Sequence, residues 1–154
     1  MTARLSLDLG TSTGWCLLNK PLRGGCSFVS GTESFKNDRY SGGGMRYLRF
    51  QKWLDGIYGA SPFVSVHFEE VRRHRGTDAA HVYGGLLGIL TAWCEEKGIP
   101  YQGVPVGEIK KFWTGKGNAD KPAMIAECEK RSFQPGDDNE ADAIALAHWT
   151  LENF

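Results

Sequence analysis

Leu5-Ser6-Leu7-Asp8-Leu9-Gly10-Thr11-Ser12-Thr13-Gly14-Trp15-Cys16-Leu17-Leu18 is the stretch on which the fold turns. From Leu5 to Leu9 apolar and polar residues alternate, the period of a half-buried strand. Gly10, Ser12, Thr13 and Gly14 supply a turn, and Trp15 to Leu18 return as a second apolar run, so the segment reads as a β-hairpin. Within it Asp8 is flanked by Leu7 and Leu9. A carboxylate in such a setting is expensive to desolvate unless it is paired or coordinates a cation.

Residues 25–35 carry Cys26, Phe28 and Val29 followed by Thr32, Glu33, Ser34 and Phe35, a third strand that completes an antiparallel opening. After the glycines 42–44, Met45, Leu48, Trp53, Leu54 and Ile57 follow helical spacing to a stop near Gly59. Residues 62–68 read as a buried strand that runs straight into Glu69-Glu70. A long helix over 77–97 carries Val82, Leu86, Leu87, Leu90, Trp93 and Cys94 and is closed by Gly98. A strand over 101–106, a short helix over 106–113, a Gly-Lys-Gly-Asn loop and a helix over 120–131 come next. Pro135 and Gly136 break the chain before a last helix over 138–151. The order read off is βββαβαβαα: an α/β layout on a mixed five-stranded sheet, three antiparallel strands then two parallel, flanked by helices.

The 154 residues, 41% of them hydrophobic, have the size of one compact domain spanning 1–154 that buries its own core. Lys plus Arg number 18 and Asp plus Glu number 18, so no global field draws the chain to nucleic acid or membrane, and any nucleic-acid surface must be local. Cys16, Cys26, Cys94 and Cys128 lie far apart with no Cys-x-x-Cys pair, the pattern of reduced thiols. No apolar run reaches the roughly 20 residues a bilayer span needs. The first residues lack the long apolar stretch of a signal peptide, so a cytoplasmic protein is expected, or one in the host cytoplasm if phage-encoded.

Asp8, Glu69 and Asp142 come from three distant places, the first strand, the end of the fourth and the last helix. An exposed strand carboxylate is commonplace for any one of them, but jointly they suit magnesium, which takes hard oxygen ligands. Leu5 to Trp15, His67-Phe68-Glu69-Glu70-Val71 and Asp138-Asn139-Glu140-Ala141-Asp142-Ala143-Ile144-Ala145 together resemble, in order and over nearly the whole chain, the motifs of the RuvC-type Holliday-junction resolvases of the ribonuclease H-like superfamily. The resemblance assigns the ligand role to Glu69 rather than Glu70. Asn139 stands where the family has Asp or His; Asn139 and Asp138 both share a helix face with Asp142, and either is the fourth ligand. Asp137 reads as a helix cap and Glu140 as facing elsewhere.

What the resemblance implies is a ribonuclease H-like nuclease. Two Mg²⁺ ions, with Mn²⁺ as a substitute, are bridged by Asp8, flanked by Glu69, Asp142 and Asp138 or Asn139, and cut four-way junctions by paired symmetric nicks from a homodimer. Lys121 matches the family lysine at the scissile phosphate, and Lys110 or Lys111 is a looser match for a second. The cationic loop Val71-Arg72-Arg73-His74-Arg75-Gly76 follows the acidic strand end, and Arg72, Arg73 and Arg75, with Lys110, Lys111, Lys116 and Lys121, form the expected DNA surface. A solvated surface is the commonest fate of such lysines. Gly84, Gly85 and Gly88 are costly inside a helix and point to close packing, against a second subunit or against the chain's own sheet. His67, His81 and His148 lack metal-ligand spacing. Asp8 to Gly14 also resembles the phosphate loop of actin-like ATPases and sugar kinases, but those enzymes need two such domains around a cleft. A nuclease acting on RNA or other DNA structures, or a noncatalytic junction-binding module, are the remaining alternatives.

Overall fold

The alternation at the start of the chain does build a strand. In the computed structural model, which describes residues 2–154, β1 (Thr2–Asp8), β2 (Ser12–Lys20) and β3 (Ser27–Ser34) form an antiparallel meander. β1 also pairs in parallel with β4 (Ser65–Glu70), and β4 in parallel with β5 (Tyr101–Pro105), giving the sheet order β3-β2-β1-β4-β5. The helices are α1 (Met45–Ala60), α2 (Thr77–Lys97), α3 (Val106–Thr114), α4 (Lys121–Lys130) and α5 (Asp138–Asn153). All three helices expected after β5 form, the short one at Val106–Thr114 included, so the order is βββαβαβααα, one helix more than the string βββαβαβαα counts.

The two-residue period of the strands sorts side chains into two cores. Leu5, Leu7, Leu9, Leu17, Val66 and Phe68 meet Phe50 and Leu54 of α1 and Leu86, Leu90 and Trp93 of α2 on one face. Cys16, Leu18 and Val104 meet Ile109, Trp113, Met124 and the buried side of α5 on the other. The even positions of β1 therefore look toward α5: Arg4 Nη1 donates to Thr150 O at 2.8 Å, and Ser6 is fully buried there.

α5 is the central helix. Ala141, Ala143, Ala145 and Ala147 are all 0% exposed, and their small side chains let its backbone lie close on β1 and β2. Its first turn is tied to β3. Asp137 caps it by accepting from Glu140 N at 2.8 Å and also accepts from Thr32 Oγ1 at 2.7 Å, while Glu140 accepts from Ser30 Oγ at 2.7 Å. The two acids read as cap and bystander in the sequence thus hold the helix start in place.

β4 begins later than its apolar run. The expected span 62–68 shifts to Ser65–Glu70, because Pro62 has no N–H to give a ladder and Phe63 turns into the first core; both glutamates fall inside the strand. α2 matches its expected bounds, ending where Gly98 takes a left-handed φ of 68° and donates to Cys94 O and Glu95 O. Its glycines separate into two kinds. A side chain at Gly85 would run into the Tyr47 ring, so that glycine serves packing between α1 and α2, whereas Gly84 and Gly88 face open space. The four cysteines are free, three of them buried. Among the described residues no helix is long and apolar enough to cross a membrane.

Candidate metal centre

The register places two acids side by side. Leu7 pairs with Phe68 in the parallel β1/β4 ladder, so Asp8 and Glu69 follow at the carboxyl ends of adjacent strands. Both point to the face opposite Leu7 and Phe68, beneath α5. The pleat, a weak argument in the sequence, here separates Glu69 from Glu70 by face. Tyr83 of α2 fixes the strand end: its hydroxyl donates to Glu69 O at 2.8 Å and accepts from Val71 N at 3.2 Å. The β1–β2 turn is closed by Thr13, whose hydroxyl donates to Gly10 O at 2.8 Å.

Asp142, one turn into α5, completes the group. Carboxylate oxygens of Asp8, Glu69 and Asp142 all lie within 4.8 Å of one another. Burial and neighbouring negative charge oppose the ionisation of Asp8 and Asp142. Burial first, then the charges of Glu69 and Asp142, hold the Asp8 carboxyl well above the usual carboxylate range. Burial, followed by Glu69 and Asp138, pushes Asp142 up to about 7, against smaller opposing pulls from its hydrogen bond with Asp8 and from Lys110. An all-oxygen set, none of whose three acids forms a salt bridge among the described residues, fits a hard divalent ion such as Mg²⁺ or Mn²⁺.

Asp138 stands just outside the trio. It pairs with Lys121, Nζ to Oδ2 3.4 Å, and is near enough for its charge to raise Asp142. Asn139 presses its backbone against Gly14 of β2, where any side chain at position 14 would collide with the Asn139 carbonyl. Lys110 of α3 lies close enough to favour ionised Asp142, so it and Lys121 flank the carboxylates from two helices. The sequence left Lys110 and Lys111 as alternative looser matches for a second lysine; the buried Ile109 and Trp113 of α3 are the signal that Lys110 is the one held toward the site. Lys111 and Lys116 are exposed.

The chain relates to known proteins through its fold. No family model matches the sequence, and no curated protein does. Among solved structures, RuvC of T. thermophilus in complex with Holliday junction substrate superposes with a TM-score of 0.78 at 20% identity, covering 96% of this chain and 91% of that one. The Thermus thermophilus RuvC structure gives a TM-score of 0.75 at 20% identity, with coverages of 99% and 96%. The fold is the ribonuclease H-like fold of RuvC. The yeast mitochondrial Holliday junction resolvase Ydc2 follows with a TM-score of 0.67 at 12% identity, covering 95% of this chain and 76% of its own.

On this RuvC-like frame the arginine loop between β4 and α2 borders the carboxylates. Glu69, Arg72, Arg73, Val106 and Gly107 help line a cleft of about 480 Å³. Arg72 is within 4.0 Å of Glu70, while Arg73 and Arg75 are exposed and make no ion pair among the described residues. The histidines take packing roles or face solvent. His148 stacks on Phe28 at 4.3 Å, His67 is buried beneath α5 with its pKa pushed down to about 4 by burial and Arg4, and His81 is exposed.

Proposed function

We propose that the chain is a metal-dependent endonuclease that resolves four-way DNA junctions by paired symmetric nicks, in recombination and repair. The observation that carries this reading is the convergence of Asp8, Glu69 and Asp142 within 4.8 Å, on a fold shared with a RuvC structure bound to a Holliday junction. Asp8, Glu69 and Asp142, with Asp138 or Asn139 beside them, are the residues that would hold two Mg²⁺ or Mn²⁺ ions. The chemistry such ions supply is water activation and stabilisation of the leaving oxygen in phosphodiester hydrolysis, here giving 5′-phosphates.

The chain's own residues do the remainder. Lys110 and Lys121, each near one of the acids of α5, balance charge at the scissile phosphate. Arg73 and Arg75, with Arg72 once it leaves Glu70, hold phosphates of neighbouring strands. Two symmetric cuts call for a twofold homodimer as the working form, and cytoplasm, of a cell or of a phage's host, is the proposed location.

The test is a substrate panel of single-stranded, duplex, flap, four-way-junction and RNA-hybrid nucleic acids, each with and without Mg²⁺. Cutting of the four-way junction that needs the metal is the expected result. Binding of the junction with no metal uptake and no cutting would make the chain a noncatalytic module, and preferential cutting of the hybrid would move it to the RNA-directed nucleases.

A further inference from the structure

The end of the sheet that carries the carboxylates bears a second basic loop, residues 35–44 between β3 and α1. It starts beside the site: Phe35 N donates to Thr11 O at 2.7 Å, three residues beyond Asp8. Tyr40 at its tip is 83% exposed, more than any other aromatic among the described residues, and the other two exposed ones, Tyr101 and Phe154, lie at the far end of the sheet beside Arg4. A ring so exposed leaves its face open to stack on a partner with a flat apolar face.

The loop is organised around that ring. Asp38 Oδ1 accepts from Tyr40 N at 2.8 Å, from Ser41 N at 2.8 Å and from Ser41 Oγ at 3.0 Å, fixing the turn that presents the tyrosine. Arg46 and Arg49 of α1 hold the loop's first residues through Phe35 O and Lys36 O. The Arg39 guanidinium carbon lies 5.1 Å from the Tyr40 ring centroid, so one side of the ring is occupied by a cation and the ring stands as a charged stacking surface. Lys36, Arg39, Arg46 and Arg49 outnumber Asp38, and among the described residues Lys36 and Arg39 make no ion pair. Behind the loop a groove of about 660 Å³, lined by Thr11, Asn37, Arg46, Tyr47 and His81, opens next to the turn that follows Asp8.

We propose that this loop is a stacking platform for an unpaired nucleobase of branched DNA: Tyr40 takes the base, Arg39 and Lys36 take its flanking phosphates, and the groove past Arg46 guides that strand toward Asp8. An aromatic face beside a cationic track suits a splayed nucleotide, because every base offers a π-face and every linkage a phosphate. The proposal rests on the reading of the chain as a branched-DNA nuclease and adds a site outside the carboxylates.

The test uses a four-way junction with 2-aminopurine at its branch point, titrated with wild type, Tyr40→Ala and Tyr40→Phe in Ca²⁺, with light scattering on each protein and a single-stranded oligonucleotide as a second probe. The expected result is a 2-aminopurine response that Tyr40→Phe keeps and Tyr40→Ala loses, with junction and single-strand affinity of Tyr40→Ala falling about 5- to 150-fold. Thermal melts that match wild type, as the ring's exposure requires, separate this from misfolding. A Tyr40→Ala protein that binds and responds like wild type overturns the platform while leaving the nuclease reading in place. A change of oligomeric state in Tyr40→Ala with an unchanged 2-aminopurine response overturns it in favour of a contact between copies. Wild type that binds neither probe removes the parent reading and the platform together.

Discussion

Gly14 on β2 and Asn139 on α5 touch backbone to backbone, with no room for even a methyl group between them. That contact sets the height at which the first turn of α5 sits over the sheet, and thereby where Asp142 meets Asp8 and Glu69. Gly14→Ala is expected to lift this turn. Overpacking of this kind costs about 1–3 kcal/mol, and the carboxylates lose their close approach. Thermal melts with and without Mg²⁺ are the check: a lower melting temperature together with a smaller gain from Mg²⁺ is expected, and a variant that keeps the wild-type Mg²⁺ gain would show that α5 is positioned by other contacts.

Much of the fold was legible because it is written locally. Alternation exposed β1, a turn followed by an apolar run marked β2, helical spacing ended by Gly98 marked α2 along its whole length, and Asp137 as a cap announced the start of α5. The three acids were legible as well, each in a motif of its own. What stayed hidden depends on approach between distant segments. Nothing near Gly14 in the sequence tells that Asn139 will press on it, and Lys110 resembles any surface lysine until α3 folds against α5. The Tyr40 loop carried no motif, and its arginine contacts come from the following helix.

Stability of the metal-free protein should fall with rising pH. In an unfolded chain the carboxyls ionise near their ordinary values, about 3.9 for Asp, whereas in the fold Asp8 is held well above that range and Asp142 titrates at about 7. From about pH 4 upward the folded state keeps protons that the unfolded state releases, so unfolding becomes easier as pH rises; the share of Asp142 is spent near pH 7, and that of Asp8 persists until it too ionises. A Mg²⁺ ion held by the carboxylates as proposed would compete with those protons, and its stabilisation should grow over the same interval, reaching about 2.7 kcal/mol at roughly 100 times its Kd. Melts at about pH 5 and about pH 8, with Mg²⁺ and with EDTA, are the measurement; a Mg²⁺ gain that does not increase with pH would count against cation binding at these carboxylates.

Asp8→Asn separates the cost of the site from its use. Burial and the charges of Glu69 and Asp142 make an acid at position 8 costly to ionise in the fold, and an amide has no charge to bury, so the metal-free variant should melt higher than wild type at neutral pH. Cutting should fall by more than the 10- to 100-fold typical of losing a group that only supports a ligand, while four-way-junction binding survives. Gel-shift and single-turnover cleavage assays test both halves, and wild-type cutting by this variant would remove Asp8 from the site.

The arginine loop makes a quantitative claim about salt. Arg73 and Arg75 are exposed without ion pairs, whereas Arg72 lies beside Glu70. Arg73→Ala and Arg75→Ala should each lower the slope of log Kd against log salt by about 1, with affinity reduced about equally for junctions of any sequence. Arg72→Ala should change the slope less, because its charge is already partly met. Equal slopes for all three variants and wild type would take the loop off the DNA surface.

Gly84 and Gly88 lie one turn apart on the exposed side of α2, and side chains there would meet nothing in the monomer. Alanine at each position should therefore stabilise the helix by about 1 kcal/mol, since the only effect within one chain is the lost flexibility of glycine. In a twofold dimer each substitution appears twice in the interface. If α2 meets its symmetry mate along this bare strip, the added methyl groups push the helices apart. The double variant Gly84→Ala/Gly88→Ala is expected to melt higher than wild type when dilute, yet to form a weaker dimer by light scattering and to cut one strand of a junction without the paired second nick. A variant that is both more stable and fully dimeric would place the dimer contact on another face and return these two glycines to solvent.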